Sequence, residues 1–442
     1  MQVPETRYTR SGDVNIAYQV AGDGPLDLLW IPGNTQHVEL VWDEPYRRAF
    51  LEQLAQRFRL ITFDKRGSGL SDRVKGAPPL EVRMDDLRAV LDAAGSSRAV
   101  VFAAGDSGSL ALVFAATHPQ RVIALALFAA TARTTWAPDY PWALSRDDWL
   151  RWIDDTERRW PDSLADHVRA SAPGLADDEL KAFVRVIRLS VSPGSFAAFW
   201  RLNLEVDVRH VLPTVRVPTL VLQRKDTPPV AAAEALVAAM PDARLVVLPG
   251  TGAIPPLGDT GAIFRELDAF VAEAGGRSVE PESVLATVLF TDLVGSTERA
   301  AELGDRAWRD VLTRHHAAVR RELARFRGVE HDTAGDGFFA SFDGPARAIR
   351  CACAIREALA PLDLEVRAGV HTGECELHDG KVAGIAVAIG ARVSARAQAG
   401  EVLVSQTVRD LVAGSGISFA ERGAAELKGV PGEWRLYAVE DA

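Results

Sequence analysis

Two short segments each place a carboxylate at the end or turn of an apolar strand, beside small residues. They are Phe290-Thr291-Asp292-Leu293-Val294-Gly295-Ser296-Thr297 and Thr333-Ala334-Gly335-Asp336-Gly337-Phe338. Carboxylate oxygens are hard ligands, so two such groups brought together can hold a pair of hard divalent ions against a triphosphate.

The elements around these segments read as mixed strands and helices. A strand is expected at Val284–Phe290, a helix over Arg306–Phe326, a hairpin around Gly335-Asp336-Gly337 and a helix over Gly344–Leu359. The strand Leu364–His371, the helix Ile389–Ala397 and the strands Glu401–Ser405 and Glu433–Val439 complete an α+β sandwich. Ahead of it, Gly275 to Glu282 reads as a short polar linker. The expected boundaries are 1–275, 276–283 and 284–442.

The first 275 residues alternate differently. Val14–Val20, Leu26–Ile31, Leu60–Phe63, Ala99–Ala104, Ile123–Phe128, Thr219–Leu222 and Leu245–Leu248 read as strands, several of them continuous apolar runs of the kind buried on both faces. Helical patterns lie between them, at Tyr46–Phe58, Met84–Ala94, Ala231–Met240 and Ala262–Ala274, which predicts a parallel sheet with helices on both sides. Arg133–His210 breaks the alternation with a helical, tryptophan-rich stretch, read as a cap. Its tryptophans either pack the small helices or line an apolar ligand pocket.

With 442 residues, 48% of them hydrophobic and 25% charged, two or more soluble domains are expected. The net charge of −10 and pI near 5.5 argue against general nucleic-acid binding, because no basic stripe can displace counterions. No secretory h-region and no membrane-length apolar run is visible. Cys351, Cys353 and Cys375 form no disulfide framework, so a reducing, cytoplasmic setting is expected.

Residues 1–275 resemble the α/β-hydrolase family through Ile31-Pro32-Gly33, Phe63 to Asp72 (FDKRGSGLSD), Phe114 to Pro119 (FAATHP) and Pro218 to Leu222 (PTLVL). That resemblance implies a nucleophilic serine on a strand-to-helix turn, an acid and a histidine. Here Gly105 occupies the nucleophile position, Asp226 the acid position and Ala253 the histidine position. Ser107, inside Gly105-Asp106-Ser107-Gly108-Ser109, is the alternative nucleophile. Without an imidazole no general base takes the nucleophile's proton, so the domain reads as a pseudo-hydrolase that senses or scaffolds, with an apolar small molecule as its ligand. His37, His118, His167 and His210 lie elsewhere in the sequence.

Residues 284–440 resemble the class III adenylate/guanylate cyclases, a ferredoxin-like α+β family that dimerises head to tail. The resemblance makes Asp292 and Asp336 the metal aspartates, with Leu293 beside them, for two Mg2+ or Mn2+ per site. It puts phosphate at the backbone of Gly295, Ser296 and Thr297, Arg392 on the α-phosphate and Lys428 on the outer phosphates, the last two from the partner subunit. Three positions depart from the pattern. Asp332 stands where a base-reading lysine is usual, and Lys381 (or Asp379) where its aspartate is usual. Ala388 stands in place of the ribose-contacting asparagine. The expected reaction is ATP to cyclic AMP and pyrophosphate in a homodimer, with GTP an open second substrate. A bifunctional esterase–cyclase and a degenerate, regulatory cyclase remain as other readings.

Overall fold

The computed structural model describes residues 1–33, 36–172, 174–225, 229–275, 283–378 and 381–442. The chain divides into two units, Met1–Glu280 and Pro281–Ala442. The linker expected at 276–283 lies outside the described residues except for Ser283, which opens a strand.

In the first unit, β1 (Arg7–Ser11), β2 (Val14–Ala21), β3 (Asp27–Ile31), β4 (Arg59–Phe63), β5 (Ala99–Ala104), β6 (Val122–Phe128), β7 (Thr219–Arg224) and β8 (Ala243–Leu248) form one sheet. Its order among the described residues is β1-β2-β4-β3-β5-β6-β7-β8. The helices are α1 (Pro45–Ala55), α2 (Leu80–Ala93), α3 (Ser107–Thr117), α4 (Arg146–Arg158), α5 (Asp162–Ser171), α6 (Asp177–Ser190), α7 (Pro193–Asn203), α8 (Val230–Ala238) and α9 (Thr260–Gly275). β5, AVVFAA, is buried at every residue, as its apolar run requires of an inner strand. α9 turns Ile263, Phe264, Leu267, Phe270 and Val271 inward at helical spacing, where they join Trp30, Phe50 and Phe102.

The expectation of a parallel sheet is corrected at one edge. From β4 through β8 the pairs are parallel, but β1 and β2 are antiparallel additions. An apolar run signals burial, not direction. β1 itself, RYTRS, has no apolar face to announce it and is mostly exposed as an edge.

α4 to α7 form the cap between β6 and β7. Ser145 and Ser192 cap α4 and α7 by accepting the amides of Asp148 and Ser195. Three of the cap tryptophans pack on one another: Trp149 stacks on Trp200 at 5.2 Å, and Trp152 meets Trp200 edge-on at 5.4 Å. They are the cap's own core, together with Phe183, Ile187 and Phe196.

In the second unit the elements are β9 (Ser283–Leu293), α10 (Ser296–Arg325), β10 (Val329–Ala334), β11 (Gly337–Phe342), α11 (Pro345–Leu359), β12 (Val366–His378), β13 (Lys381–Ala383), α12 (Ile385–Arg396), β14 (Val402–Ser405), α13 (Gln406–Leu411), β15 (Ser418–Glu426) and β16 (Glu433–Asp441). The sheet runs β10-β11-β9-β12-β14-β16-β15, with β13 paired to β12. β9 alternates its side chains between two cores. Leu289 joins α10 and α11 residues on one face, and Val288 joins Ala386 of α12 on the other. α10 starts ten residues before the expected helix, with a break at Gly304 (φ 75, ψ 160), and α12 starts four residues early. β15, SFAERGAAE, was not legible because its residues are mostly polar or small and it lies at an edge. No helix among the described residues is long and apolar enough to cross a membrane.

α12 lies unusually close to the sheet. A Cβ on Gly390 would come within 2.6 Å of Val288 Cγ2, and one on Gly369 of β12 within 2.7 Å of Ser394 Cβ, closer still to the Ser394 backbone. Only glycine at both positions permits this approach.

Candidate active site

Strand register brings the carboxylate segments together. β9 pairs with β12 so that Asp292 faces Arg367, and with β11 so that Phe290 faces Phe339. β10 and β11 are joined by the two-residue turn Gly335-Asp336, with Ala334 opposite Gly337. Thr291 pairs with Phe338, one residue beyond Gly337, so the turn lies beside the end of β9. His316 on α10 ties the turn down through a 2.9 Å hydrogen bond between its Nε2 and Gly335 O. Its neighbour His315 is buried, and burial pushes its pKa down to about 4.

A cavity of about 280 Å3 opens here. Asp292, Asp332, Phe290, Phe339 and Arg367 line it, with Gly337 and with Ala391, Ser394 and Ala395 of α12. Phe290 and Phe339 stack face to face at 4.6 Å and 3°, a flat aromatic wall. Arg367 donates to Asp292 Oδ2 from Nε at 3.1 Å and from Nη2. Oδ2 of Asp336 is buried with no hydrogen-bond partner among the described residues.

The other sequence-predicted residues fall into two groups. Asp332 is exposed on the cavity rim and accepts the Thr333 amide at 2.9 Å. Lys381 opens β13; after burial, its charge is the second cause that lowers the pKa of His331, so it lies near Asp332's neighbour. Leu293 is buried. Gly295, at φ 66, is the N-cap of α10 and offers no side chain to the amides that begin with Ser296 and Thr297. Arg392 and Lys428 form a separate exposed pair, Arg392 Nε donating to Lys428 O at 3.2 Å. Ala388 is exposed one helical turn before Arg392. Asp379 lies outside the described residues. Sequence reasoning missed Arg367, Phe290 and Phe339. The one available signal was their alternation along strands, and register was needed to converge them.

In the first unit, the turn between β5 and α3 holds a left-handed glycine. Gly105 sits at φ +55, and a Cβ there would meet nothing within 4 Å. Ser107 opens α3, 1% exposed; its Oγ donates to Pro32 O at 2.7 Å and accepts from Lys65 Nζ at 2.8 Å. Ala253 is partly buried against the core. Its loop is stapled by Arg224, whose guanidinium reaches the carbonyls of Thr251, Gly252, Ile254 and Pro255 at 3.2–3.4 Å. The four histidines are engaged or buried elsewhere. His37 Nδ1 accepts the Glu39 and Leu40 amides, His118 packs on Phe114 and His167 on Trp152, while His210 is held neutral by burial, its pKa pushed down to about 4. Asp226 lies outside the described residues.

Residues 28–259 match the family model for the alpha/beta hydrolase fold. Residues 280–441 match that for the adenylate and guanylate cyclase catalytic domain. The chain belongs to the α/β-hydrolase fold family and carries an adenylate/guanylate cyclase catalytic domain. A pimeloyl-[acyl-carrier protein] methyl ester esterase of Xanthomonas campestris pv. campestris is 30% identical over 50% of this chain and 88% of its own length. The uncharacterized protein R02095 of Rhizobium meliloti is 33% identical over 35% of this chain, which spans only 17% of that protein's length. Among solved structures, the adenylyl cyclase CyaB from P. aeruginosa is 23% identical over 37% of this chain and 97% of its own, with a TM-score of 0.35.

Within the α/β-hydrolase unit, Gly105 and Ala253 carry no side chain able to act as nucleophile or base, and Ser107 is committed to hydrogen bonds on both sides. Within the cyclase domain, the donor set suits Mg2+ or Mn2+. Both aspartates are hard oxygen ligands, and the unpartnered Asp336 Oδ2 is a polar atom awaiting a partner. No group of three or more His, Cys, Asp or Glu side chains that could hold a metal occurs among the described residues, so backbone carbonyls, water and phosphate oxygens would complete the shell.

Proposed function

We propose that the chain converts ATP to 3′,5′-cyclic AMP and pyrophosphate at sites shared between two copies of its cyclase domain. The observation that carries this reading is the convergence of Asp292, Asp332 and Arg367 on one cavity, beside the buried, unpartnered oxygen of Asp336. Asp292 and Asp336 would hold the metal ions. Bound Mg2+ or Mn2+ supplies charge neutralisation on the triphosphate and acidifies the ribose 3′-hydroxyl. The uncapped amides at the start of α10 cradle phosphate, where the helix dipole favours negative charge. The stacked Phe290–Phe339 pair offers a flat wall to the purine, and Asp332 with Lys381 offers an acceptor and a donor to its edge. The exposed Arg392 and Lys428 pair serves the site of a second copy, steadying charge that builds on the α-phosphate as the 3′-oxygen attacks and pyrophosphate leaves. The α/β-hydrolase unit acts as a ligand-binding sensor rather than a hydrolase.

GTP is the second reading, favoured by Asp332, whose carboxylate can accept from guanine N1 and N2. Full-length protein assayed with ATP and GTP in parallel, in Mg2+ and in Mn2+, decides between them. Product from one nucleotide, abolished by Asp292→Ala, is the expected result. Nucleotide binding without product from either substrate would refute the catalytic reading.

A further inference from the structure

Asp336 sits in the two-residue turn between β10 and β11, and such a turn has more than one stable form. Gly335, its first central residue, takes φ +65, and Asp336 does not share the positive φ. That is the pattern of a type II′ turn, with glycine first. Type I′ joins the same two strands and asks only that the second residue take positive φ as well. Aspartate adopts that conformation more readily than most residues. The two forms differ by a flip of the central peptide, which carries the Gly335 carbonyl and the Asp336 amide. The flip changes φ at Asp336 and so re-aims its carboxylate.

One side chain holds that peptide from outside the hairpin. His316 of α10 bonds to Gly335 O through Nε2 at 2.9 Å. A carbonyl oxygen only accepts, so Nε2 carries the proton and donates. The bond grips the atom that the flip would swing away.

Further contacts keep α10 fixed against the hairpin, so His316 does not follow the turn. His316 and His315 both meet the Phe338 ring edge-on, at 5.2 and 5.6 Å. Phe338 is buried, two residues after Asp336. One helical turn on, Arg320 lies over the same ring at 5.6 Å and pairs with Glu330 through two hydrogen bonds of 2.8 Å. The register of β10 against β11 shifts between Glu330 and Asp332, so the anchored Glu330 stands at the start of a bulge. A spacing of four places His316 and Arg320 on one face of α10. The helix holds the hairpin both at its tip and at this bulge.

We propose that His316 is a positioning residue for the cyclase reaction: its hydrogen bond to Gly335 O holds the Gly335-Asp336 turn in the form that presents Asp336 to the metal. The proposal rests on the cyclase reading of this domain, in which Asp336 is a metal ligand.

Two substitutions separate the donor from the ring. His316→Phe keeps a ring against Phe338 and loses the donor. His316→Gln loses the ring and keeps an N–H donor at similar reach. In the metal-free full chain, the amides of 335–337 should exchange about tenfold faster in His316→Phe, the loss of one hydrogen bond, with α11 and β12 amides unchanged. Mn2+, followed by its electron paramagnetic resonance signal, should bind about tenfold more weakly. At saturating Mn2+, kcat for cyclic-nucleotide formation should fall about 10- to 100-fold, with KM for the nucleotide little changed. His316→Gln should recover most of each loss. Parental exchange, Mn2+ affinity and kcat in folded His316→Phe would overturn the proposal, as would losses in His316→Gln equal to those in His316→Phe. A parent chain that binds no Mn2+ and forms no product would overturn the cyclase reading instead, and exchange at the turn in the two variants would still decide whether His316 holds it.

Discussion

Gly369→Ala isolates the contact that places α12 over the cyclase cavity. The added methyl would lie 2.7 Å from Ser394 Cβ and nearer still to the Ser394 backbone, which no rotamer change can move. Ordinary carbon–carbon contact needs about 3.5 Å or more, so α12 must back away from β12 by about 1 Å. Overpacking of this kind costs about 1–3 kcal/mol, and removing a glycine from a strand interior returns about 0.5–1 kcal/mol. Because the obstacle is backbone, the net loss should lie at the upper end, about 2 kcal/mol. Hydrogen exchange of the full chain reads this locally: α12 and β12 amides should exchange about 30-fold faster, with first-unit peptides unchanged. The same displacement carries Ala391, Ser394 and Ala395 off the cavity wall and shifts Arg392. A 1 Å misplacement should lower cyclic-nucleotide formation by about 100-fold. Gly390→Ala is the internal comparison. Its methyl meets side-chain atoms alone, Val288 Cγ2 at 2.6 Å and the Phe290 ring at 3.2 Å, and alanine in a helix interior returns about 1 kcal/mol, so its protection should fall less than that of Gly369→Ala. Equal behaviour of the two variants, or parental exchange and activity in Gly369→Ala, would refute the reasoning.

Two further outcomes are expected in the first unit. Arg224→Met removes the donor shared by four carbonyls of the 251–255 loop and should destabilise the unit by about 2–4 kcal/mol; an unshifted urea transition, or unaltered proteolysis within that loop, would contradict this. The space at Gly105 admits a side chain at a cost of about 1 kcal/mol for the left-handed backbone. Gly105→Ser with Ala253→His should therefore gain p-nitrophenyl ester hydrolysis about 100-fold or more above the parent, while Gly105→Ser alone should not. Equal rates in the single and double variants would show that the missing imidazole is not what silences the site.

The fold class of both units was legible because apolar runs and turn residues carry it. AVVFAA reads as an inner strand and is one, and the segments around Asp292 and Asp336 show in sequence which carboxylates lie at a strand end and a hairpin turn. Two edge strands, β1 and β15, were not legible. β1 and β15 lack an apolar face, and what holds them is hydrogen bonding to the next strand in the chain. The cap's tryptophans were visible as a group, but their sequence spacing left open whether they line a pocket or pack on one another, as they do.

By itself, then, the sequence determined which chemistry is present and which is missing. Asp292, Asp336 and Arg392 are available to one unit, and no histidine stands at position 253 in the other. Those are matters of residue identity, readable at any conformation. Tertiary structure alone decided that Arg367 lies on Asp292, that Phe290 stacks on Phe339, and that Arg224 staples the loop bearing Ala253. Each of these depends on strand register or helix approach set by the whole core. A one-residue slip of β12 against β9 would turn Arg367 to the opposite face, and nothing in its local sequence forbids that slip.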